Sequence, residues 1–261
     1  MRRSSGIRVA FACILSVFIL LPSAEATNSA LADSLVAAGN KHYMNREFGL
    51  AATCYSRVIE LGYESSSLLY NLGNACYKQD NMPRAILYYE KARLLDPGDE
   101  DIRQNLAIAN SRIVDKIDNI PSFFLRRWIN GVAGGLSPDQ WALLSLILFA
   151  LSLCALFIYI GSRKYTMKKI GFTTGILLFL FSITSLLLTQ NRKQVIRHSR
   201  GAIVMTQVVN VKSSPDEQGT SVFALHEGTR VLMVDSVQQW KEVKIPDGNK
   251  GWVPDSVLAG I

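Results

Sequence analysis

The side chains best suited to catalysis are few and widely separated in this sequence. There are three histidines, His42, His198 and His226, and none stands at a spacing from cysteine or carboxylate that is typical of a metal site or an activated nucleophile. The acidic run 99–101 is better explained as favourable charge at a helix start than as an acid–base pair. The glycines of 131–135 lack the Lys-Ser/Thr ending of a phosphate-binding loop. We therefore expect no catalytic residue, no metal, no cofactor and no enzymatic activity.

The four cysteines do not make a disulfide framework. Cys13 and Cys154 fall in strongly apolar segments, and Cys54 and Cys76 have no metal-ligand spacing. We interpret Cys54 and Cys76 as small packing residues. A bridge between these two is the alternative, and it requires an oxidising compartment.

The formal net charge of +7 is unevenly distributed along the chain. Residues 27–120 carry about 10 basic and 12 acidic side chains and residues 201–261 about 5 and 7, so both segments are mildly acidic. Outside the turn at 161–169, the basic excess flanks the apolar segments, at Arg2, Arg3, Arg8, Arg126, Arg127, Arg192, Lys193, Arg197 and Arg200. A nucleic-acid-binding protein needs a basic face on a folded domain. The distribution therefore predicts no nucleic-acid partner, and it suits contact with lipid headgroups.

Two apolar segments, 141–160 and 170–189, organise the chain, and neither contains Asp, Glu, Lys, Arg or His. A helix of about 20 residues rises about 30 Å, which is the thickness of the hydrocarbon core of a bilayer. The connecting residues 161–169 are polar and basic. The pattern predicts a transmembrane hairpin with a cytoplasmic turn at 161–169. Two core helices of a soluble protein are the alternative, but such helices usually carry a polar stripe.

Residues 1–26 have the pattern of a secretory signal peptide. Arginines precede the apolar run 9–21, Pro22 ends it, and Ala24-Glu25-Ala26 resembles a cleavage site. An uncleaved N-terminal anchor is the alternative. Either form predicts export of the residues that follow, which places both soluble segments on the periplasmic side of the inner (cytoplasmic) membrane.

The link 119–140 joins the first soluble segment to the first apolar run. It combines aromatic and basic residues, which favour the interface of a bilayer. The residues predicted to lie at this interface are Phe123, Phe124, Arg126, Arg127, Trp128 and Trp141. A short packed helix of a soluble protein is the alternative.

Residues 30–118 contain two copies of one pattern, 32–65 and 66–99, at an offset of 34 residues. The copies align Gly39 with Gly73, Asn40 with Asn74, Tyr43 with Tyr77, Ala51 with Ala85 and Tyr55 with Tyr89. This segment resembles the tetratricopeptide repeat family, which implies pairs of antiparallel helices. We expect residues 100–117 to form a helix that caps the open end of the last repeat.

Tetratricopeptide repeats bind segments of protein partners along the concave face of their first helices. Carried onto this sequence, the resemblance implies partner-binding residues at Asn40, Tyr43, Asn71, Asn74, Tyr77 and Lys78. Ordinary solvated helix surface is the alternative for the same residues.

Residues 201–261 change to β-branched alternation punctuated by Gly, Pro and Asp, which is typical of strands. Asn-Val-Lys-Ser-Ser-Pro at 210–215, Trp-Lys-Glu-Val at 240–243 and Gly-Trp-Val at 251–253 resemble the bacterial SH3-like (SH3b) domain. The resemblance implies a small, partly open β-barrel that binds cell-wall peptides or protein segments in a surface groove. The groove candidates are Asn210, Trp240 and Trp252, although a place in the barrel core is as well supported for Trp252.

The expected fold is thus a multidomain membrane protein with an all-α tetratricopeptide-repeat domain, a two-helix transmembrane hairpin and a C-terminal small all-β SH3-like barrel. This order of parts resembles the Bacteroides aerotolerance (Bat) proteins. The resemblance implies assembly with Bat proteins that carry von Willebrand A domains, beside a MoxR-type ATPase, in aerotolerance or envelope stress.

We expect a non-catalytic scaffold that docks proteins. The alternatives are a receptor whose SH3b domain holds peptidoglycan peptides while the repeats recruit an enzyme, and a subunit of an envelope hydrolase.

Overall fold

The computed structural model describes residues 23–116, 135–197 and 200–261. Residues 1–22 of the signal segment predicted over 1–26 lie outside the described residues. The same is true of His198 and of residues 117–134 of the predicted capping helix and link. The chain divides into two units, Met1–Glu64 and Ser65–Ile261.

Two helices, α1 (Ser23–Met44) and α2 (Phe48–Glu60), form the described part of the first unit. Helix α1 begins nine residues before the start of the repeat predicted at 32. Arg46 adopts a left-handed conformation, with φ of +64°, in the turn between the helices. Tyr55 of α2 is 1% exposed. A Cβ atom at Gly39 of α1 would lie 2.6 Å from Cε1 of the Tyr55 ring, so only glycine allows this close approach.

Three helices with side-chain caps follow in the second unit: α3 (Ser66–Lys78), α4 (Met82–Leu95) and α5 (Glu100–Ser111). The side chains of Ser65, Asn81 and Asp99 accept hydrogen bonds from backbone N–H groups in the first turns of these helices. The capping helix predicted over 100–117 ends early, because the N–H of Arg112 bonds the carbonyl of Ala109 and closes the last turn.

The geometry of the first helix pair recurs in α3 and α4 at the predicted offset. Asp80, 34 positions after Arg46, has φ of +61°. A Cβ atom at Gly73 would lie 2.7 Å from Cδ1 and Cε1 of Tyr89, which is 1% exposed. Leu72 of α3 and Ala92 of α4 are also buried.

Two long helices, α6 (Pro138–Gly161) and α7 (Tyr165–Arg197), pack against each other as an antiparallel hairpin. Ser137 starts α6 with a capping box that it forms with Gln140. Only residues 162–164 separate the two helices, so the helical structure extends into both ends of the polar turn predicted at 161–169. Helix α7 also continues past the end of the predicted apolar segment at 189, since residues 190–197 contain neither Gly nor Pro.

Small and polar side chains lie in the buried part of the contact between α6 and α7. The hydroxyl groups of Ser145 and Ser182 each donate to the other residue's carbonyl at 3.0 Å, and Ser185 Oγ donates to the Trp141 carbonyl at 2.8 Å. Gly171 allows close approach, since a Cβ atom there would lie 2.8 Å from the Ala155 carbonyl oxygen. The large apolar side chains of both helices mostly point outward and are exposed.

Seven antiparallel strands form a single sheet in the C-terminal segment, in the order β3-β2-β6-β5-β4-β1-β7. The strands are β1 (Gly201–Val204), β2 (Val208–Lys212), β3 (Ser221–His226), β4 (Arg230–Val237), β5 (Trp240–Lys244), β6 (Lys250–Pro254) and β7 (Leu258–Gly260). A short 3₁₀ helix (Asp255–Val257) precedes β7. One face carries a core of Val, Ala, Leu and Ile side chains. In the described residues the edge strands β3 and β7 do not pair, so the sheet is not closed, and the barrel stays a prediction.

Candidate interaction surfaces

In the first unit, the predicted partner-binding residues Asn40 and Tyr43 lie on α1. Tyr55 donates its hydroxyl to Asn40 Oδ1 at 2.8 Å, so this carboxamide oxygen is used within the helix pair. The Tyr43 ring meets the Phe48 ring edge-on, with 5.3 Å between the ring centroids. Burial raises the pKa of Tyr55 above its usual range, with a smaller effect of Tyr43 and Cys54. Tyr55 therefore stays a neutral hydrogen-bond donor.

In the second unit, Asn74 is the centre of a hydrogen-bond network that joins three helices. Its Oδ1 accepts from the Tyr89 hydroxyl of α4 at 2.7 Å and from Asn105 Nδ2 of α5 at 2.9 Å. Asn105 Nδ2 also donates to the Tyr70 hydroxyl at 2.8 Å. The network gives Asn74 a structural role, and its predicted partner-binding role stays a prediction.

Tyr77, Asn71 and Lys78 are the other predicted binding residues of α3. The guanidinium of Arg112 lies 5.4 Å from the centroid of the Tyr77 ring, and its Nη1 lies 3.3 Å from an Asp80 carboxylate oxygen. Asn71 and Tyr77 are half-buried and Lys78 is exposed. Of these three side chains, Lys78 is the most accessible to a partner.

Sequence reasoning missed Asn105 and Arg112, which contact the predicted binding residues. Asn105 lies within the amphipathic pattern of α5 and Arg112 follows it, and both are ordinary polar residues there, so the local sequence does not indicate their contacts. Their contacts depend on α5 returning to lie on the preceding helix pair, and on the chain path beyond Ser111.

The outer face of the sheet carries the three groove candidates. Val209, Val211, Val243 and Val253 point into the core, so the alternating residues of the same strands face outward. By this alternation Asn210, Trp240 and Trp252 share the outer face, where Asn210 is exposed and both tryptophans are half-buried. The register pairs Trp252 with Lys212 and Glu242, and Trp240 with Pro254. The two indoles thus stand on neighbouring strands, next to side chains of both charges.

Of the residues predicted to lie at the bilayer interface, only Trp141 is described. It is buried in the second unit, at the N-terminal end of α6. The other predicted interface residues lie outside the described ranges: Phe123, Phe124, Arg126, Arg127 and Trp128.

Potentially reactive groups are dispersed within the described ranges. Cys54, Cys76 and Cys154 are free thiols, so the alternative of a Cys54–Cys76 bridge is not what the structure shows. Burial raises the pKa of Cys76 to about 11, although Arg84 opposes the shift, and this thiol is therefore unreactive at neutral pH. Among residues 23–116, 135–197 and 200–261, no cluster of His, Cys, Asp and Glu is suited to bind a metal ion.

One comparison with known proteins identifies part of the chain. The tetratricopeptide repeat family model matches residues 66–99, which are α3, α4 and the turn after them. The earlier copy, 32–65, lies outside this match. No curated protein matches the chain. Residues 66–99 are therefore a tetratricopeptide repeat, a type of helix pair that generally mediates contacts between proteins.

Proposed function

We propose that this protein is a membrane-anchored, non-catalytic scaffold that docks protein partners through its repeat helices and its C-terminal sheet. The observation that carries the proposal is the presence, in one chain, of a tetratricopeptide repeat and an apolar helical hairpin whose large side chains point outward.

The packing of the hairpin supports a membrane location. Both helices are long and apolar enough to cross a membrane, and only 17% of the residues in each apolar window are buried. A core helix of a soluble protein buries its large apolar side chains and exposes polar ones. In α6 and α7 serine, alanine and glycine lie in the buried part of the contact, while most Leu, Ile and Phe side chains are exposed. This arrangement is typical of helices that associate within lipid.

The finer form of the proposal follows the resemblance of the whole chain. We infer a BatE-type protein of the inner membrane, with the repeats and an SH3b-type sheet on the periplasmic side. Its partners would be Bat proteins with von Willebrand A domains and a MoxR-type ATPase complex, in aerotolerance or envelope stress. The signal-peptide pattern and the order of the parts along the sequence support this form.

Site-specific crosslinking in intact cells tests the docking role. A photoreactive amino acid at Lys78 or Asn71, on the first helix of the repeat, should crosslink a protein that mass spectrometry then identifies. The same probe at Arg84, which is exposed on the second helix, serves as the matched control. Equal capture of the same proteins at Lys78 and Arg84 would contradict docking along the first helix.

The outward tryptophan pair favours one alternative, a receptor for peptidoglycan peptides. The full-length protein in detergent, incubated with purified sacculi, distinguishes the two functions. Retention that is lost in the Trp240→Ala and Trp252→Ala variants supports the wall receptor. A protein that stays in the supernatant supports the protein scaffold.

Cysteine labelling tests the orientation of the hairpin. A membrane-impermeant reagent added from the periplasmic side should reach a cysteine introduced at Lys212 but not one introduced at Lys164, between α6 and α7. The reverse pattern would overturn the proposed topology.

A further inference from the structure

The C-terminal sheet holds one carboxylate of the helical segment. Asp115 follows α5, and its Oδ2 accepts hydrogen bonds from the backbone N–H of His226 and from Thr229 Oγ1, both at 2.7 Å. Its Oδ1 lies 2.7 Å from His226 Nδ1. Both oxygens are therefore engaged, and only 14% of the side chain is exposed.

The turn between β3 and β4 is shaped to receive this carboxylate. Among the described strands β3 is an edge of the sheet, so N–H groups on its outer side have no neighbouring strand there to bond. At the end of that edge, the His226 N–H bonds Asp115 instead. Gly228, with φ of +83°, brings the turn against the helices, since a Cβ atom there would lie 2.6 Å from Ile113 Cγ2 and 3.1 Å from Ile86 Cδ1.

A second acidic side chain of the helices faces the same part of the sheet. Glu90 of α4 is 4% exposed, and its Oε1 lies 3.7 Å from Arg230 Nε of β4. Its Oε2 lies 2.5 Å from Arg93 Nη2 within the same helix. The helices thus supply carboxylates and the sheet supplies donors, which is a complementary pairing of charge.

We propose that the β3–β4 turn is a carboxylate-binding site whose resident ligand is Asp115, and that this bond holds helices and sheet together as one docking platform. The platform role rests on the proposed scaffold function, whereas the site itself does not. Burial opposes ionisation of Asp115, but the hydrogen bonds from His226 and Thr229 outweigh it and hold the pKa of the carboxyl below its usual range. The ligand is therefore the carboxylate anion at neutral pH.

Hydrogen exchange of the full-length protein in detergent, at pH 7, tests this site. In Asp115→Ala the amide of His226 loses its acceptor, and we expect peptides covering residues 226–229 to exchange at least about tenfold faster. Excess sodium acetate should restore the slow exchange of Asp115→Ala, and sodium chloride at the same ionic strength should not. Asp235→Asn is the matched control, because it removes a charge from an exposed position of β4 where the Asp235 carboxylate accepts a local bond from the Ser236 N–H.

The outcomes separate the possible roles of Asp115. Unchanged exchange at 226–229 in Asp115→Ala would overturn the proposal, and so would equal effects of acetate and chloride. Slow exchange in β5 and β6 verifies that each variant remains folded. If all amides of the sheet exchange faster together, Asp115→Asn replaces Asp115→Ala, because it keeps the shape and one acceptor oxygen while removing the charge. Acetate rescue together with failed crosslinking at Lys78 would refute the scaffold and leave the carboxylate site standing.

Discussion

Replacing Gly73 by alanine tests whether the repeat is held together by direct contact between a glycine and a ring. The added Cβ would lie 2.7 Å from two carbons of the Tyr89 ring, about 1 Å closer than a favourable carbon–carbon contact. Tyr89 is 1% exposed and its hydroxyl is bonded to Asn74, so the ring has no free direction in which to move. The helices themselves must therefore separate.

The expected loss combines two opposing effects. Overpacking of a core by one methyl group costs about 1–3 kcal/mol. Alanine is preferred over glycine in a helix interior by about 1 kcal/mol, which offsets part of that cost. The free energy of opening α3 and α4 should therefore fall by up to about 2 kcal/mol, and their amides should exchange about tenfold faster for each 1.4 kcal/mol.

Hydrogen exchange of the full-length protein provides the assay, and the chain offers two matched substitutions. Gly39→Ala places the same methyl group 2.6 Å from the Tyr55 ring, so it should accelerate exchange in α1 and α2 to a similar extent. Gly49→Ala lies on an exposed position of α2, where only helix propensity acts, and should leave exchange unchanged or slower. If Gly73→Ala behaved like Gly49→Ala, the reasoning from close approach would be refuted.

Three further outcomes are expected. Gly228→Ala should accelerate hydrogen exchange at residues 226–229 more than Gly62→Ala accelerates exchange in its own turn. Both glycines have positive φ, but of the two only Gly228 lies against other side chains, those of Ile86 and Ile113. Equal effects would show that backbone strain alone acts. The pKa of Asp115 is lowered in the folded protein, so its stabilising effect should be complete above about pH 4 and lost as the pH falls through the folded pKa. The measurement is hydrogen exchange at residues 226–229 as a function of pH, corrected for the intrinsic exchange rates. The acid-dependent loss should be absent in Asp115→Asn, and identical pH profiles of this variant and the unmodified protein would contradict the prediction. The charged groups that line the two clefts beside Asp115 are Glu90, Lys116, Arg230 and Asp247, together with His226 bonded to it. Maleimide should modify the Cys76 thiol only after denaturation, and faster labelling of Cys76 than of Cys54 in the native protein would refute its burial.

Local patterns were sufficient to predict the elements of the fold. The offset of 34 residues predicted that Gly73 and Tyr89 hold the places of Gly39 and Tyr55 in a second helix pair, and the same close approach of glycine to ring recurs there. The capping box of Ser137 and Gln140 is likewise a local feature of the chain, at the start of α6. These features depend on neighbours within one repeat or one helical turn. The β-branched alternation over 201–261 likewise predicted strands, and in β2 the alternating Val209 and Val211 are buried.

Contacts between distant parts of the chain could not be predicted in the same way. Asp115 and His226 are 111 positions apart, and each is an ordinary polar residue in its own segment. The capping helix was predicted to continue through Ile113, but the chain leaves the helix at Ser111, and Ile113 packs against Gly228 instead. The decisive contact for Ile113 belongs to the sheet, and a periodic pattern in one segment carries no information about it.

Helix α7 has a mechanical consequence for what the sheet can reach. The helix continues to Arg197, and β1 begins at Gly201. Four Cα–Cα distances of about 3.8 Å separate Arg197 from Gly201, so the linker is no longer than about 15 Å. If α7 crosses the bilayer, this short linker keeps the sheet close to the end of the helix, and therefore close to the membrane. In that arrangement a partner has to bind near the membrane surface, which favours membrane-anchored partners over freely diffusing ones.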